Sequence, residues 1–449
     1  MNPGKYEYDI IVAGGGMTGV GAALSAGRAG ARVLLVEQYG CLGGMATVGH
    51  VNPFMTHYFF DRAYPGQETV LGIYHEILDR LARESPVLEE WRSEDGQLQN
   101  PPPHKPRLWP GNKGFDSEVL KWVLDEMMEE AGVKVRFHTF ISKVRAEDKR
   151  ISSIESCSKS GIENFAARQF IDCTGDADLA ALAGFETIFG RESDGKAQAL
   201  TLMFRLGDID LENADLGQAQ AAYREAVASG ELKMPGKRQL LMFPYPGKGV
   251  VTFNQNELAG LDSTNADDLS RGEILGRKAV REIVAFLRKN APGFEHCRVE
   301  MLPQQVGVRE SRRIIGEYIL NVNDLLNRVH FEDVIACGAY PVDIHDPDGK
   351  MSKNPMQHLE PGTYYQIPFR SLIPKGAQNL LVGGRCLSAT HEAAASVRVM
   401  PICAAMGQAA GIAAARACNA DEAISEINIA VVQDELRKAG AFLPAENPA

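Results

Sequence analysis

Four buried-type residues, Ile10-Ile11-Val12-Ala13, run directly into Gly14-Gly15-Gly16-Met17-Thr18-Gly19, and a small-residue stretch with helical spacing follows. The spacing Gly14-x-Gly16-x-x-Gly19 between a strand and a helix leaves few alternatives to a βαβ unit that clasps a dinucleotide. Gly14 permits a tight turn, Gly16 lets a pyrophosphate reach backbone N–H groups, and Gly19 lets the helix close on the strand, with Met17 and Thr18 in the first helical turn. The next apolar strand, ARVLLVE, ends at Glu37, whose carboxylate suits a ribose diol and would repel a 2′-phosphate; Gln38 follows it. That acid does not separate NAD from FAD, since both carry an adenosine ribose. The choice stays open at this point of the chain.

At 449 residues the chain is too long for one ordinary core, so two or three structural units are expected. Its 45% hydrophobic and 23% charged residues are those of a globular protein, and a net charge of −11 disfavours a nucleic-acid partner. No apolar run reaches the ~18 residues of a membrane span. A strand begins within the first ten or so residues, leaving little room for a signal peptide, so a cytoplasmic protein without membrane association is expected. The eight cysteines show no C-x-x-C pair, and most read as small buried apolar residues.

Hydrophobic patterning divides the chain further. Residues 1–51 form a first dinucleotide-domain segment, and 52–114, with its NPPPHKPRLWPGNKG stretch, reads as a lid-like excursion over the surface or over a site. Residues 115–186 return to the first domain through a helix starting at Ser117 behind Asp116, then an antiparallel meander. Amphipathic helices and short strands over 187–330 suggest a substrate-facing α+β domain, and 331–449 closes the first domain.

Three further segments add to the clasp. GCLGGMATVGH places Gly43, Gly44 and Met45 where bare backbone could line an extended dinucleotide; FIDCTGDADLA runs a strand into a glycine turn; and NLLVGGRCLSATHEAAASVRVMPICAAMGQAAG carries a strand, a double glycine and an Ala- and Gly-rich helix. Together with QVGVRESRRIIGEYIL and ACGAYPVDIHDPDG they resemble, over nearly the full length, the bacterial FAD-dependent oxidoreductase family. The resemblance implies an α/β fold: a Rossmann-like FAD-binding domain of the glutathione-reductase type, a β-meander and a second α+β substrate domain. FAD is the cofactor it implies. It also implies that Thr174, Gly175 and Asp176 lie near the AMP and pyrophosphate, with Cys173 where alanine is usual, and that the backbone of Ile141 meets the adenine. Gly384 and Arg385 match the closing G-D motif, with arginine in the aspartate's place; an arginine there could neutralise pyrophosphate. The helix beginning near Pro401 and Ile402 is expected to aim its N-terminus at the N1/C2 carbonyl end of the flavin, with Arg398 adding positive charge.

Hydride chemistry at flavin N5 needs a group that moves a proton. His345 and His391 sit in loops of the returning segments, and Asp343 could orient an imidazole. Arg309 and Arg312, with Arg313, could hold an anionic substrate, although Glu310 and Glu317 could equally pair with them. His50 could attach flavin covalently. No histidine shows ligand spacing such as H-E-x-x-H, so no metal site is expected. Without a second glycine fingerprint or a redox C-x-x-C, the chain does not look like a pyridine-nucleotide disulfide reductase, and electrons are expected to come from a small-molecule substrate. Two other readings share these residues: an electron-transfer or structural FAD subunit of a larger complex, and an NAD-binding protein of the same fold. A homo-oligomer is left open.

Overall fold

The fold is that of a computed structural model describing residues 6–55, 68–89, 105–106, 108, 111–233, 236–237, 239–348 and 356–444. Much of the 52–114 excursion, with His57 and His104, lies outside these described residues.

β1 (Ile10–Ala13), α1 (Met17–Arg28) and β2 (Val33–Val36) make the expected βαβ unit. All residues of both strands are buried, as apolar runs covered on both faces must be. α2 (Ile73–Glu84) and α3 (Ser117–Glu130) precede β3 (Lys134–Arg136). Asp116 caps α3, its side chain accepting from the N–H groups of Glu118 and Val119. β4 (Phe140–Glu147), β5 (Arg150–Ser158) and β6 (Gly161–Phe165) form the antiparallel meander, and β7 (Gln169–Asp172) returns to the interior.

After α4 (Asp178–Leu182) and β8 (Thr187–Phe189), the chain builds a second layer from β9 (Phe204–Gly207), α5 (Leu216–Ser229), β10 (Met242–Pro244), β11 (Val251–Phe253), α6 (Ala266–Asn290) and β12 (Arg298–Met301). Its four-stranded antiparallel sheet has the order β10-β11-β9-β12 and its own apolar core, drawn from Leu200 to Val308. The segments flanking that core turn back: β13 (Arg312–Ile314) pairs with β8, and Ile314, Leu320 and Leu325, the last in α7 (Val322–Leu326), join the first core.

The remaining chain closes the first unit with the pair β14 (Val334–Gly338) and β15 (Tyr365–Pro368), then β16 (Leu380–Val382), α8 (His391–Val397), α9 (Met400–Ala420) and α10 (Ile429–Lys438). β16-β7-β1-β2-β3 is the order of the parallel central sheet. α9 lies against α1 so closely that a Cβ on Gly21, Gly407 or Gly411 would overlap the backbone oxygen of Ala404, Thr18 or Ala22 respectively. The Ala- and Gly-rich run therefore packs backbone to backbone. No single described helix is long and apolar enough to cross a membrane; the bent pair α8 and α9 has the composition, but nearly all of its residues are buried in the protein. Seven of the eight cysteines are buried, and all are free thiols.

Candidate active site

A long cleft runs from the glycine turn at the C-terminal edge of the parallel sheet to the face of the second layer. One end is made of backbone. Gly14, Gly16, Met17 and Thr18 line it on one side and Gly43, Gly44 and Met45 on the other. Gly14, at φ +92°, could not carry a side chain, since a Cβ would sit 2.5 Å from Cys173 O, and a Cβ on Gly44 would sit 2.8 Å from Gly16 Cα. These are bare surfaces that any larger residue would fill.

α1 opens on this cradle without a side-chain cap. α9, whose first residues border the farther part of the cleft through Val399, Met400 and Cys403, lacks one too. By contrast Asp116, Asp215, Asn265, Asn321, Thr390 and Asn428 cap α3, α5, α6, α7, α8 and α10. Helix N-termini need acceptors for their first N–H groups. α2 and the short α4 lack an N-cap side chain as well, but the first N–H of α2, at Ile73, reaches Gln408 Oε1 at 3.2 Å. α1 and α9, which border the cleft, offer positive N-terminal ends to a bound anion.

Glu37 is buried, and its carboxylate accepts from Gly15 N at 2.5 Å and Tyr39 N at 2.9 Å. Burial pushes its pKa up, while these N–H groups and that of Gln38 pull it back. It faces the cleft together with Gln38, Ile141, Thr174, Gly175 and Asp176. Arg385 also faces it, but its guanidinium is occupied: it binds Gly175 O at 2.8 Å, Val308 O at 2.9 Å and Asp176 at 2.7 Å. It braces the glycine turn against the second layer.

Several expected contacts lie outside the cleft lining. Gly19 sits inside α1, where a Cβ would strike Gly14 O, and Gly384 packs on Thr18. Pro401 and Ile402 turn into the core, Ile402 against Gly338, so the neighbouring Val399, Met400 and Cys403 line the site instead. Arg312 pairs with Asp178 and binds Asp176 O at 2.8 Å. His391 is 3% exposed and bonded through Nδ1 to Glu310, which also pairs with the fully buried Arg313. Arg313 further binds Ala389 O and Gly190 O, so this cluster ties three chain segments together. His50 is likewise not in the lining; its Nδ1 lies 3.0 Å from Ser117 Oγ.

The other end of the cleft is made of side chains. Tyr340, Asp343, His345 and Arg398 come from the closing segments, and Thr201, Asn254, Gln305 and Arg309 from the second layer. His345 Nδ1 is 3.0 Å from Glu257 Oε1 and its Nε2 is 3.4 Å from Asp343 Oδ2. Its backbone N–H donates to Gln198 Oε1 at 3.2 Å. Burial and then the Arg309 charge lower the His345 pKa against the pull of both carboxylates. Burial opposes ionisation of Asp343, yet His345, Arg398 and the Tyr340 hydroxyl hold its carboxyl far below the ordinary range. Glu257 is lowered as well: burial is overcome by the His345 hydrogen bond and by Lys237 and Arg309.

Arg309 is 6% exposed and donates to Ala199 O at 2.6 Å and Asn254 Oδ1 at 3.2 Å; burial and Arg398 bring its pKa down to about 10. Glu257 and Asn254 were not singled out from sequence, and neither stands in a motif that could have marked it. Among the described residues no group of three His, Cys, Asp or Glu side chains is placed to hold a metal.

Among solved structures, the chain resembles a geranylgeranyl bacteriochlorophyll reductase-like protein from Thermoplasma acidophilum (13% identity, 96% of this chain and 83% of that one, TM-score 0.47). It also resembles p-nitrophenol 4-monooxygenase from Pseudomonas putida DLL-E4 (12%, 96% and 82%, 0.43) and L-proline dehydrogenase from P. horikoshii (10%, 98% and 100%, 0.46). No curated protein sequence gives a match. The model of the FAD dependent oxidoreductase family matches residues 9–436, an interval that contains both ends of the cleft, and the chain belongs to that family.

Proposed function

We propose that the chain is an FAD-dependent oxidoreductase that moves a hydride between a small organic substrate and flavin N5, on an FAD domain of the glutathione-reductase type. The single observation that carries this reading is a carboxylate-held His345 in the same cleft as a glycine cradle suited to FAD. The cradle fits the cofactor: Gly14, Gly16, Gly43, Gly44 and the uncapped α1 would hold the pyrophosphate, Glu37 the adenosine ribose, and Ile141 the adenine side. FAD, when bound, supplies the two-electron acceptor or donor.

The chain's own residues handle the proton. With Nδ1–H donated to Glu257, His345 presents Nε2 as the acceptor for a substrate O–H or N–H proton, and Asp343 at 3.4 Å stabilises the imidazolium then formed. Gln198 holds the His345 backbone, and Glu310 in turn holds Gln198 by accepting its N–H at 2.9 Å. The buried cluster around His391 thus positions the base without touching substrate. Arg398 and the first turn of α9 set a positive potential on this part of the cleft.

The test is an anaerobic screen of the holoprotein against alcohols, hydroxy acids, amines and unsaturated acids, read as bleaching of the visible flavin band. His345→Gln should keep FAD and slow bleaching by about 10²–10⁴-fold. Its rate should also lose the acid limb that wild type shows as His345 protonates. A variant bleached at the wild-type rate removes His345 from the reaction. If no small molecule bleaches the flavin while a protein partner does, the chain is an electron-transfer subunit instead.

A further inference from the structure

Ion-pair accounting separates the cleft's arginines from the others in the interior. Arg313 pairs with Glu310, Arg312 with Asp178, and Arg385 with Asp176 at 2.7 Å. Arg205 has no carboxylate, but its guanidinium stacks on the Tyr245 ring at 3.8 Å. Arg309 and Arg398 have neither kind of partner among the described residues. Arg309 donates only to the neutral oxygens of Ala199 and Asn254, and Arg398 only to Asp343 O at 3.3 Å. Arg398 Nε is buried without a hydrogen-bond partner among the described residues.

Glu257 and Asp343 act on them only through the field, Arg309 lowering Glu257 and Arg398 lowering Asp343, because both carboxylates lie against His345 and neither forms a direct ion pair with an arginine. A buried guanidinium with no carboxylate in hydrogen-bonding reach keeps charge-assisted donors that a ligand can complete. Asn254 adds to them: its Oδ1 accepts from both Arg309 and Thr201, which leaves its amide N–H groups as further donors on the cleft wall. Arg309 stands two residues beyond Gly307, which is locked to Thr201 by a reciprocal backbone pair, so its planar fork is presented from a fixed edge of the second layer.

We propose that Arg309, assisted by Arg398, anchors the carboxylate of a small organic acid, so that the substrate class of this cleft is an organic anion rather than a neutral alcohol or amine. The inference rests on reading this end of the cleft as the substrate end. It adds an anchor distinct from the proton-moving His345.

The experiment titrates the FAD-loaded protein with acetate, benzoate and succinate, and in parallel with acetamide, benzamide and succinamide, following the shift of the visible flavin band. Carboxylates should perturb the band saturably, at concentrations at least tenfold below any effect of the matching amides. Arg309→Met should weaken carboxylate binding at least tenfold with FAD retained. Arg309→Lys, which keeps the charge but loses the fork, should fall between. Arg416→Met, removing the same charge from an exposed face of α9, should bind as wild type. Equal response to acids and amides, no response to either, or wild-type affinity in Arg309→Met overturns the proposal. The wild-type comparison decides even if Arg309→Met fails to fold. A protein that purifies with FAD and is bleached only by neutral substrates defeats this inference and spares the proposed function, whereas one that is bleached by no small molecule defeats that function itself.

Discussion

At one end of the cleft the working surface is backbone, drawn from Gly14, Gly16, Gly43 and Gly44 within the first 45 residues. At the other it is side chain: Glu257, Arg309, Asp343, His345 and Arg398 converge from distant loops and from two packed layers. The first end presents N–H groups whose direction is set by turn and helix geometry, so its specificity is for a charge and a shape common to dinucleotides. The second holds titratable groups whose character is set by what surrounds them. Burial and the Arg309 charge lower the His345 pKa, and His345, Arg398 and Tyr340 outweigh burial in holding the Asp343 carboxyl low. One end binds by architecture and the other acts by environment.

The sharpest way to break that comparison is to put a side chain into the backbone-built end. A Cβ at Gly19 would overlap Gly14 O, and the colliding atom is backbone that can move only with the turn after β1. Gly19→Ala should therefore cost at least the ~1–3 kcal/mol of ordinary overpacking and strip FAD at the same time. Thermal unfolding and the visible spectrum of the purified protein read both effects. His345→Gln, at the other end, should lose turnover and keep the flavin. A Gly19→Ala protein with wild-type Tm and full FAD would mean that helix and turn do not need their close approach.

The same contrast explains how much could be read from the chain alone. Strand, glycine turn, helix and acid follow one another within 28 residues, from Ile10 to Glu37, and each has a local physical reason to be there, so the cradle and its ribose acid are legible. The parallel strands are legible for the same reason, being short apolar runs. The start of α9 was placed within a residue by Pro401, yet helical rotation turns Pro401 and Ile402 into the core and leaves Val399, Met400 and Cys403 in the lining. In the sequence His345 and His391 stand out as histidines in loops of the returning segments, Arg309 and Arg312 as a cluster with Arg313, and Arg398 as a charge beside the start of α9, and nothing local distinguishes those that line the cleft from those that do not. What separates them is tertiary placement: His391 and Arg312 are tied to Glu310 and Asp178 away from the lining, whereas Arg309, Arg398 and His345, the last with its own two carboxylates, border the cleft. Glu257 and Asn254 carry no local signal at all.

A smaller effect is expected at His50, where the cradle end meets the second layer. Its imidazole faces Ser117 Oγ, which Tyr245 of the second layer also approaches at 3.3 Å. Burial and then the Arg205 charge bring the His50 pKa down from 6.5 to about 4. The unfolded chain therefore binds a proton that the folded one refuses between these values. Stability from this group is complete above pH 6.5 and is lost as pH falls towards about 4, amounting to about 3 kcal/mol for that shift. His50 has φ +48°, a conformation asparagine tolerates, so His50→Asn should unfold with a flatter acid dependence than wild type. Urea unfolding at neutral pH and near the lower end of the window measures it, and parallel slopes in the two proteins would show that His50 titrates normally.

The smallest effect, and the one that best separates the two ends, is expected from Glu37→Ala. The carboxylate holds Gly15 N and Tyr39 N, so its loss leaves two interior donors unsatisfied and removes the acceptor proposed for the ribose. Each lost partner is worth ~1–3 kcal/mol where the donor cannot reach water, but this end opens on a cleft and water can take over part of the work. FAD affinity should drop roughly tenfold, seen as cofactor released on dialysis, with the melting temperature of the reloaded protein little changed. At saturating FAD, substrate bleaching should remain within a few-fold of wild type, because Glu37 faces the dinucleotide end and His345 with its two carboxylates is untouched. If instead Glu37→Ala holds FAD as wild type does, the ribose is bound elsewhere. If it holds FAD weakly and also loses turnover at saturation, the two ends are coupled through the cofactor's position and the division of labour between backbone and side chains fails.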